Sequence, residues 1–311
     1  MRLNMLRVLM IAAACVLLGA QAEARQVLLV PSNSGLIKYD CQSGAYLGTL
    51  TGAMYERTSV AEANGILDVC ASSVIKRYDV STGRLVGSTS LSKNGYGQFG
   101  GMALGPDGCL YVSNTYSNQI LRCDISTGNV QVVPLATNIS QPWGVAFGSD
   151  GDMYTCAYLP SQHSSSRVVM RIRLSDGALV ETYAGTKDLQ YPQWISAVAD
   201  GSIYALNQCA FGLYKLNRTA GRFDEIVPGG PMLGFNDMAF TSDGDGFLTQ
   251  WNQSTSRFSV MRYDASTNAL SYFAPSDKGL VMVATELPEP CAGVVLFSGL
   301  AGLISIRLRR R

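Results

Sequence analysis

The chain predicts an all-β fold, a six-bladed β-propeller with four-stranded antiparallel blades. Three features of its 311 residues point there: a turn phrase that recurs through the body, a second that alternates with it, and a composition low in charge and rich in glycine. Charged residues make up 15% of the chain and glycines number 32, a balance that suits strands joined by tight turns.

The first phrase reads Tyr39-Asp40 with Ser43-Gly44, then Tyr78-Asp79 with Ser81-Thr82-Gly83, then Cys123-Asp124 with Ser126-Thr127-Gly128. Weaker copies close at Gly177, Gly221 and Asn268, so successive copies end 39, 45, 49, 44 and 47 residues apart. A period of that size marks a propeller blade rather than a solenoid, whose units are usually shorter or helical. The second phrase is Asn64-Gly65, Asp107-Gly108, Asp150-Gly151, Asp200-Gly201 and Asp243-Gly244. Asn-Gly and Asp-Gly between apolar runs signal hairpins, because both turn positions tolerate positive φ.

Each unit therefore reads strand, Asp-Gly turn, strand, loop, strand, Ser-Thr-Gly turn, strand. In the fourth unit the strands are expected over residues 144–147, 152–156, 168–172 and 178–183. The first unit starts at residues 26–30 and leaves no room for an innermost strand. Residues 278–283 are expected to fill that place and to close the ring with both ends of the body in one blade.

The body is flanked by two apolar segments. Arg2 and Arg7 precede an apolar run over residues 8–19, followed by Ala22-Glu23-Ala24. That is the pattern of a secretory signal cut by signal peptidase after Ala24. At the other end Pro288-Glu289-Pro290 is followed by an apolar run over residues 291–306, then by Arg307, Arg309, Arg310 and Arg311. Sixteen residues is short against the roughly 20 that span a bilayer comfortably, so a short transmembrane helix or sorting signal is expected. Basic residues flank both runs, which places both on the cytoplasmic side at the start and residues 25–287 outside. The division is thus 1–24 signal peptide, 25–287 propeller and 288–311 tail. The chain carries +1; the signal holds +1 and the tail +3, which leaves about −3 on the body. A body of that charge argues against nucleic acid or anionic lipid as partner.

The tail resembles the bacterial PEP-CTERM sorting signal in the order and spacing of its Pro-Glu-Pro, its apolar helix and its terminal Arg309, Arg310 and Arg311. It departs at Cys291, where that family more often carries a small hydroxyl residue. The resemblance implies export, transient tethering in the inner membrane of a Gram-negative-type bacterium, and handling by an exosortase. It also implies a final place on the cell surface or in an exopolysaccharide or biofilm matrix. In the body, residues 105–114 with Asn118-Gln119-Ile120, and Gln141-Pro142-Trp143-Gly144, resemble the blade pattern of NHL propellers. The same strand grammar is similar to that of SMP-30/gluconolactonase-like and streptogramin-lyase-like propellers. Binders and enzymes share these folds, so function has to be argued from sites.

Six residues past the turn glycines stand Asn114, Asn207 and Gln250, and the loops entering first strands carry Phe99, Trp143, Trp194 and Phe235, with Trp251 nearby. Amides beside aromatic rings suit a glycan, since rings stack on apolar sugar faces while amides bond hydroxyls. The alternative is that the aromatics wedge between blades and the amides satisfy loop backbone. The lactonase-like resemblance implies a divalent ion in the channel, for which Glu62, Asn114, Asn207, Asn236 and Asp237 are the candidates. Such oxygen ligands suit Ca²⁺. Trp143 stands where those relatives more often offer an amide, and the only histidine, His163, lies in a Ser-rich loop. No catalytic residue is assigned.

Six cysteines lie in the body, and Cys109 and Cys123 are symmetric about Tyr116, which predicts a cross-strand disulfide. The expected protein is thus an exported, monomeric, non-catalytic propeller binding polysaccharide or a surface protein. The alternative is a metal-dependent lactonase- or lyase-like enzyme.

Overall fold

A computed structural model describes residues 25–32, 35–50, 59–63, 65–71, 73–91, 98–160, 167–183, 189–207, 212–228, 233–252, 255–276 and 282–286. The signal, with Ala24, and the tail, with Pro288, Glu289, Pro290 and the final arginines, lie outside these, as does His163. Among the described residues no helix is long and apolar enough to cross a membrane. The body from Gln26 to Thr285 is one compact unit.

Six four-stranded antiparallel sheets follow one another as six blades. Blade 1 holds β1 (Arg25–Ser32), β2 (Gly35–Asp40) and β3 (Tyr46–Leu50); blade 2 holds β4 (Ser59–Ala63), β5 (Ile66–Ala71), β6 (Val74–Asp79) and β7 (Leu85–Ser90). Blade 3 holds β8 (Phe99–Leu104), β9 (Leu110–Asn114), β10 (Gln119–Asp124) and β11 (Asn129–Val132). Blade 4 holds β12 (Val145–Phe147), β13 (Met153–Ala157), β14 (Val168–Ile172) and β15 (Leu179–Tyr183). Blade 5 holds β16 (Pro192–Ala197), β17 (Ile203–Asn207), β18 (Leu213–Asn217) and β19 (Arg222–Val227). Blade 6 holds β20 (Leu233–Phe240), β21 (Gly246–Asn252), β22 (Arg257–Asp264) and β23 (Ala269–Ser276). The last strand, β24 (Met282–Glu286), pairs with β1 as the innermost strand of blade 1. The six blades, their four antiparallel strands and the shared first blade are as the sequence predicts. Closure gives β1 a partner on its inner side and so ties the two ends of the body into one sheet.

Every blade enters and leaves at the same two ends. Asp-Gly and Ser-Thr-Gly turns collect at one, the turn end; the longer connections collect at the other, the loop end. The turns are local and self-sufficient. In blade 3 Asp124 accepts the backbone N–H groups of Ser126 and Thr127 and the Ser126 hydroxyl, and Gly128 takes φ +72°. Asp40, Asp79 and Asp264 repeat the arrangement. These bonds hold the carboxyl of Asp124 down to about 2 and those of Asp79 and Asp264 below the usual range.

Ion pairs join the turns to third strands. Arg122 meets Asp107 at 2.6 Å, Arg171 meets Asp152 at 2.7 Å, and Arg262 meets Asp245 at 2.7 Å. Contacts also cross between blades: an ion pair from Arg218 of blade 5 to Asp150 of blade 4 at 3.1 Å, and a hydrogen bond from Arg262 of blade 6 to the Gln42 carbonyl of blade 1 at 3.1 Å. Buried aromatics wedge between blades: Tyr111 packs against Phe147 with centroids 4.8 Å apart, and Tyr204 against Phe240 at 4.3 Å.

The disulfide expected between Cys109 and Cys123 does not form; both are free and buried. Cys123 pairs with Leu110, not with Cys109, because the hairpin is centred between Tyr116 and Ser117 rather than on Tyr116, which shifts the register by one residue. A one-residue offset turns every side chain to the other face. Cys109 therefore packs with Tyr111 and Ile120 towards blade 4, while Cys123 packs with Cys70 and Leu110 towards blade 2.

Candidate functional site

An axial cavity opens among the blades. It measures about 350 Å³ and is walled by the innermost strands, with Gly101, Gly144, Trp194, Ser196 and Asp237 among its lining. Small residues let those strands converge. A Cβ on Gly144 would sit 2.8 Å from the Gln193 carbonyl oxygen, and one on Gly101 2.9 Å from the Gly144 Cα. At the loop end three innermost strands slip register: between Phe99 and Met102, Pro192 and Trp194, and Phe235 and Asp237. Asn236 is the residue left over at the third slip. Such bulges re-aim side chains, and Trp194 and Asp237, the residues just past two of them, line the cavity.

Backbone bonds fix the entry to blade 4. The Trp143 carbonyl accepts the Gly101 N–H at 2.6 Å and the Ser113 hydroxyl. The Pro142 carbonyl accepts the Thr115 hydroxyl at 2.7 Å, and the Trp143 N–H donates to Cys156 at 2.8 Å. Blade 3 thus holds Trp143 in place. Its indole is 8% exposed and stands edge-on to Trp194, 77° between planes and 6.2 Å between centroids.

Over that indole lies a side chain that the sequence reading did not single out. The Arg167 guanidinium carbon is 5.4 Å from the Trp143 ring centroid and 5.2 Å from that of Tyr158, a cation clamped between two π faces. Arg167 is 8% exposed. The one sequence signal for it is an arginine set immediately before the buried Val168-Val169-Met170. Below it Cys156 is fully buried, and burial pushes its thiol up to about 12, so it stays neutral. The same cause pushes Cys41, Cys70 and Cys123 up to about 12, which removes thiolate chemistry from all four.

The amides divide between two roles. Asn114 is wholly buried and its Oδ1 accepts the Ser117 N–H at 3.2 Å; Asn207 is 1% exposed and its Oδ1 accepts the Tyr191 N–H at 3.0 Å. Both therefore brace loop backbone, the alternative the sequence left open. Gln250 and Trp251 are partly exposed on β21, where Trp251 packs against Phe258 at 4.7 Å. Among the described residues three buried side-chain nitrogens have no hydrogen-bond partner: Asn114 Nδ2, Trp143 Nε1 and Arg167 Nε. All three stand at the loop end.

Three of the metal candidates already accept backbone hydrogen bonds. Asn114 and Asn207 spend their carbonyl oxygens on loop N–H groups in blades 3 and 5, while Asp237 accepts the Met238 N–H at 2.9 Å in blade 6. The side chain of Glu62 lies outside the described residues. Among the described residues no three His, Cys, Asp or Glu side chains could hold one metal ion.

The class these elements define is the six-bladed β-propeller, with a satisfied turn end and a donor-rich loop end. No family model and no curated protein sequence matches the chain. Solved structures do. TolB from Acinetobacter baumannii is similar at a TM-score of 0.62 and 15% identity, over 88% of this chain and 70% of that one. A catalytically inactive virginiamycin B lyase from Staphylococcus aureus, solved with quinupristin, is similar at 0.56 and 14%, over 87% and 94%. A protein of unknown function from Bacteroides caccae is similar at 0.59 and 14%, over 84% and 98%. At such identities the likeness shows the fold alone.

Proposed function

We propose that this chain is an exported, surface- or matrix-directed propeller that binds a glycan or protein ligand through its loop end, without catalysis. The observation that carries the reading is the cluster of Trp143, Tyr158 and Arg167, joined through Trp143 to Trp194 on the wall of the axial cavity. Aromatic faces with nearby donors are what a polar, ring-bearing ligand requires. Export and sorting through the PEP-CTERM-like tail are supported by Ala22-Glu23-Ala24 at one end and Pro288-Glu289-Pro290 with its arginines at the other. An exosortase and exopolysaccharide are the partners that tail implies.

The test is an oligosaccharide panel with the purified full-length chain. Trp194→Ala removes a half-buried ring from the cavity wall and is expected to weaken binding about tenfold with the fold intact. A panel without any ligand contradicts the reading, as does Trp194→Ala binding like the parent. The second reading, a metal-assisted lactonase- or lyase-like enzyme, draws on Asp237 lining the cavity next to Asn236. Stoichiometric Ca²⁺ binding that is lost in Asp237→Asn is the result that would favour it.

A further inference from the structure

Arg167 differs from the arginines of the turn end. Arg122, Arg171, Arg218 and Arg262 each meet a carboxylate. Among the described residues no carboxylate meets Arg167, although only 8% of it is exposed. Aromatic faces alone replace a small part of the hydration it gives up, so a charge buried this way is costly until an acceptor arrives. Its Nε and the Trp143 Nε1 are both orphaned, on rings and planes in direct contact. Guanidinium and indole are donor-only groups, so what satisfies them must accept. Cys156 beneath stays a neutral thiol and offers no counter-ion.

We propose that Arg167 and the indole N–H of Trp143 form the receptor for a carboxylate carried on a sugar ring, so that the ligand class of the loop end is an acidic, uronate-type glycan. This inference rests on the binding reading above and names its ligand. A planar carboxylate suits the guanidinium geometry, and charge assistance makes such bonds stronger than neutral ones. Trp194, partly exposed and edge-on to Trp143, offers the adjoining sugar a ring face. A net body charge of about −3 gives no general attraction for polyanions, so selectivity has to come from this one cation.

The experiment is calorimetric titration of the full-length chain with trigalacturonic acid, with the same trisaccharide reduced at its carboxyls to the neutral sugar, and with a hexaglutamate peptide. The acidic sugar is expected to bind at least about tenfold tighter than its neutral form. Arg167→Gln is expected to abolish that difference, and Trp143→Phe, which keeps a ring but loses the N–H, to reduce it severalfold. Far-UV circular dichroism and Tm check that each variant is folded; where Arg167→Gln does not fold, Trp143→Phe decides. Equal binding of the two sugars by the parent overturns the carboxylate inference and leaves glycan binding standing. Tighter binding of hexaglutamate than of the sugar overturns the choice of a glycan. Binding of none of the three overturns the inference together with the reading it rests on.

Discussion

At the turn end Asp150 accepts the Tyr154 hydroxyl at 2.8 Å and faces Arg218 at 3.1 Å and Arg171 at 3.3 Å. At the loop end of the same blade Arg167 lies among rings and its Nε has no acceptor. One end spends its polar groups on itself; the other keeps donors in reserve. Folding optimises local polar satisfaction wherever nothing else is asked, which is why the proposed binding site is placed at the unsatisfied end.

Substitutions break or sharpen this contrast. The largest effect is expected from Asp150→Ala, which removes the acceptor of the Tyr154 hydroxyl and the carboxylate facing Arg218 and Arg171: a loss of about 2 kcal/mol in urea unfolding. Arg167→Met is expected to leave stability unchanged or raise it by about 1 kcal/mol, because it removes a buried charge with no partner. A loss as large as that of Asp150→Ala would erase the difference between the ends.

A pH series sharpens the turn end further. Free carboxyls titrate near 3.9, whereas the Asp124 carboxyl is held down to about 2 and those of Asp79 and Asp264 are also lowered. Their folded values lie below the unfolded one, so their contribution is complete above about pH 4 and is lost as pH falls towards about 2. Urea midpoints measured over that window are expected to fall, and Asp124→Asn, which keeps an acceptor for the turn, to flatten part of the fall. The smallest effect is expected from Cys109→Ser, whose Tm should shift equally under reducing and oxidising conditions. A shift present only when oxidised would restore the disulfide.

The turn end is legible in the sequence because its causes are local. Asp124 and Gly128 are four residues apart, and their bonding is decided within the turn. Blade closure is legible too, since the first unit begins at residue 26 without an inner strand and the end of the body supplies one, expected over residues 278–283 and found as Met282–Glu286. The loop end is not local. Arg167 meets Trp143 and Tyr158 only once blades 3 and 4 are packed, and Trp194 and Asp237 reach the cavity through register slips that no alternation pattern encodes. The misplaced Cys109–Cys123 bond fails for a similar reason: a hairpin centre half a residue off shifts the register by one and inverts the face of every side chain.

On the proposed function, ligand engages the loop end and not the turn end. Hydrogen exchange of the full-length chain with and without trigalacturonic acid tests it most directly. The account predicts new protection at the amides of Trp143, Tyr158, Arg167 and Trp194, with Gly108, Gly151 and Gly201 unchanged. Protection confined to those three turn glycines would contradict it.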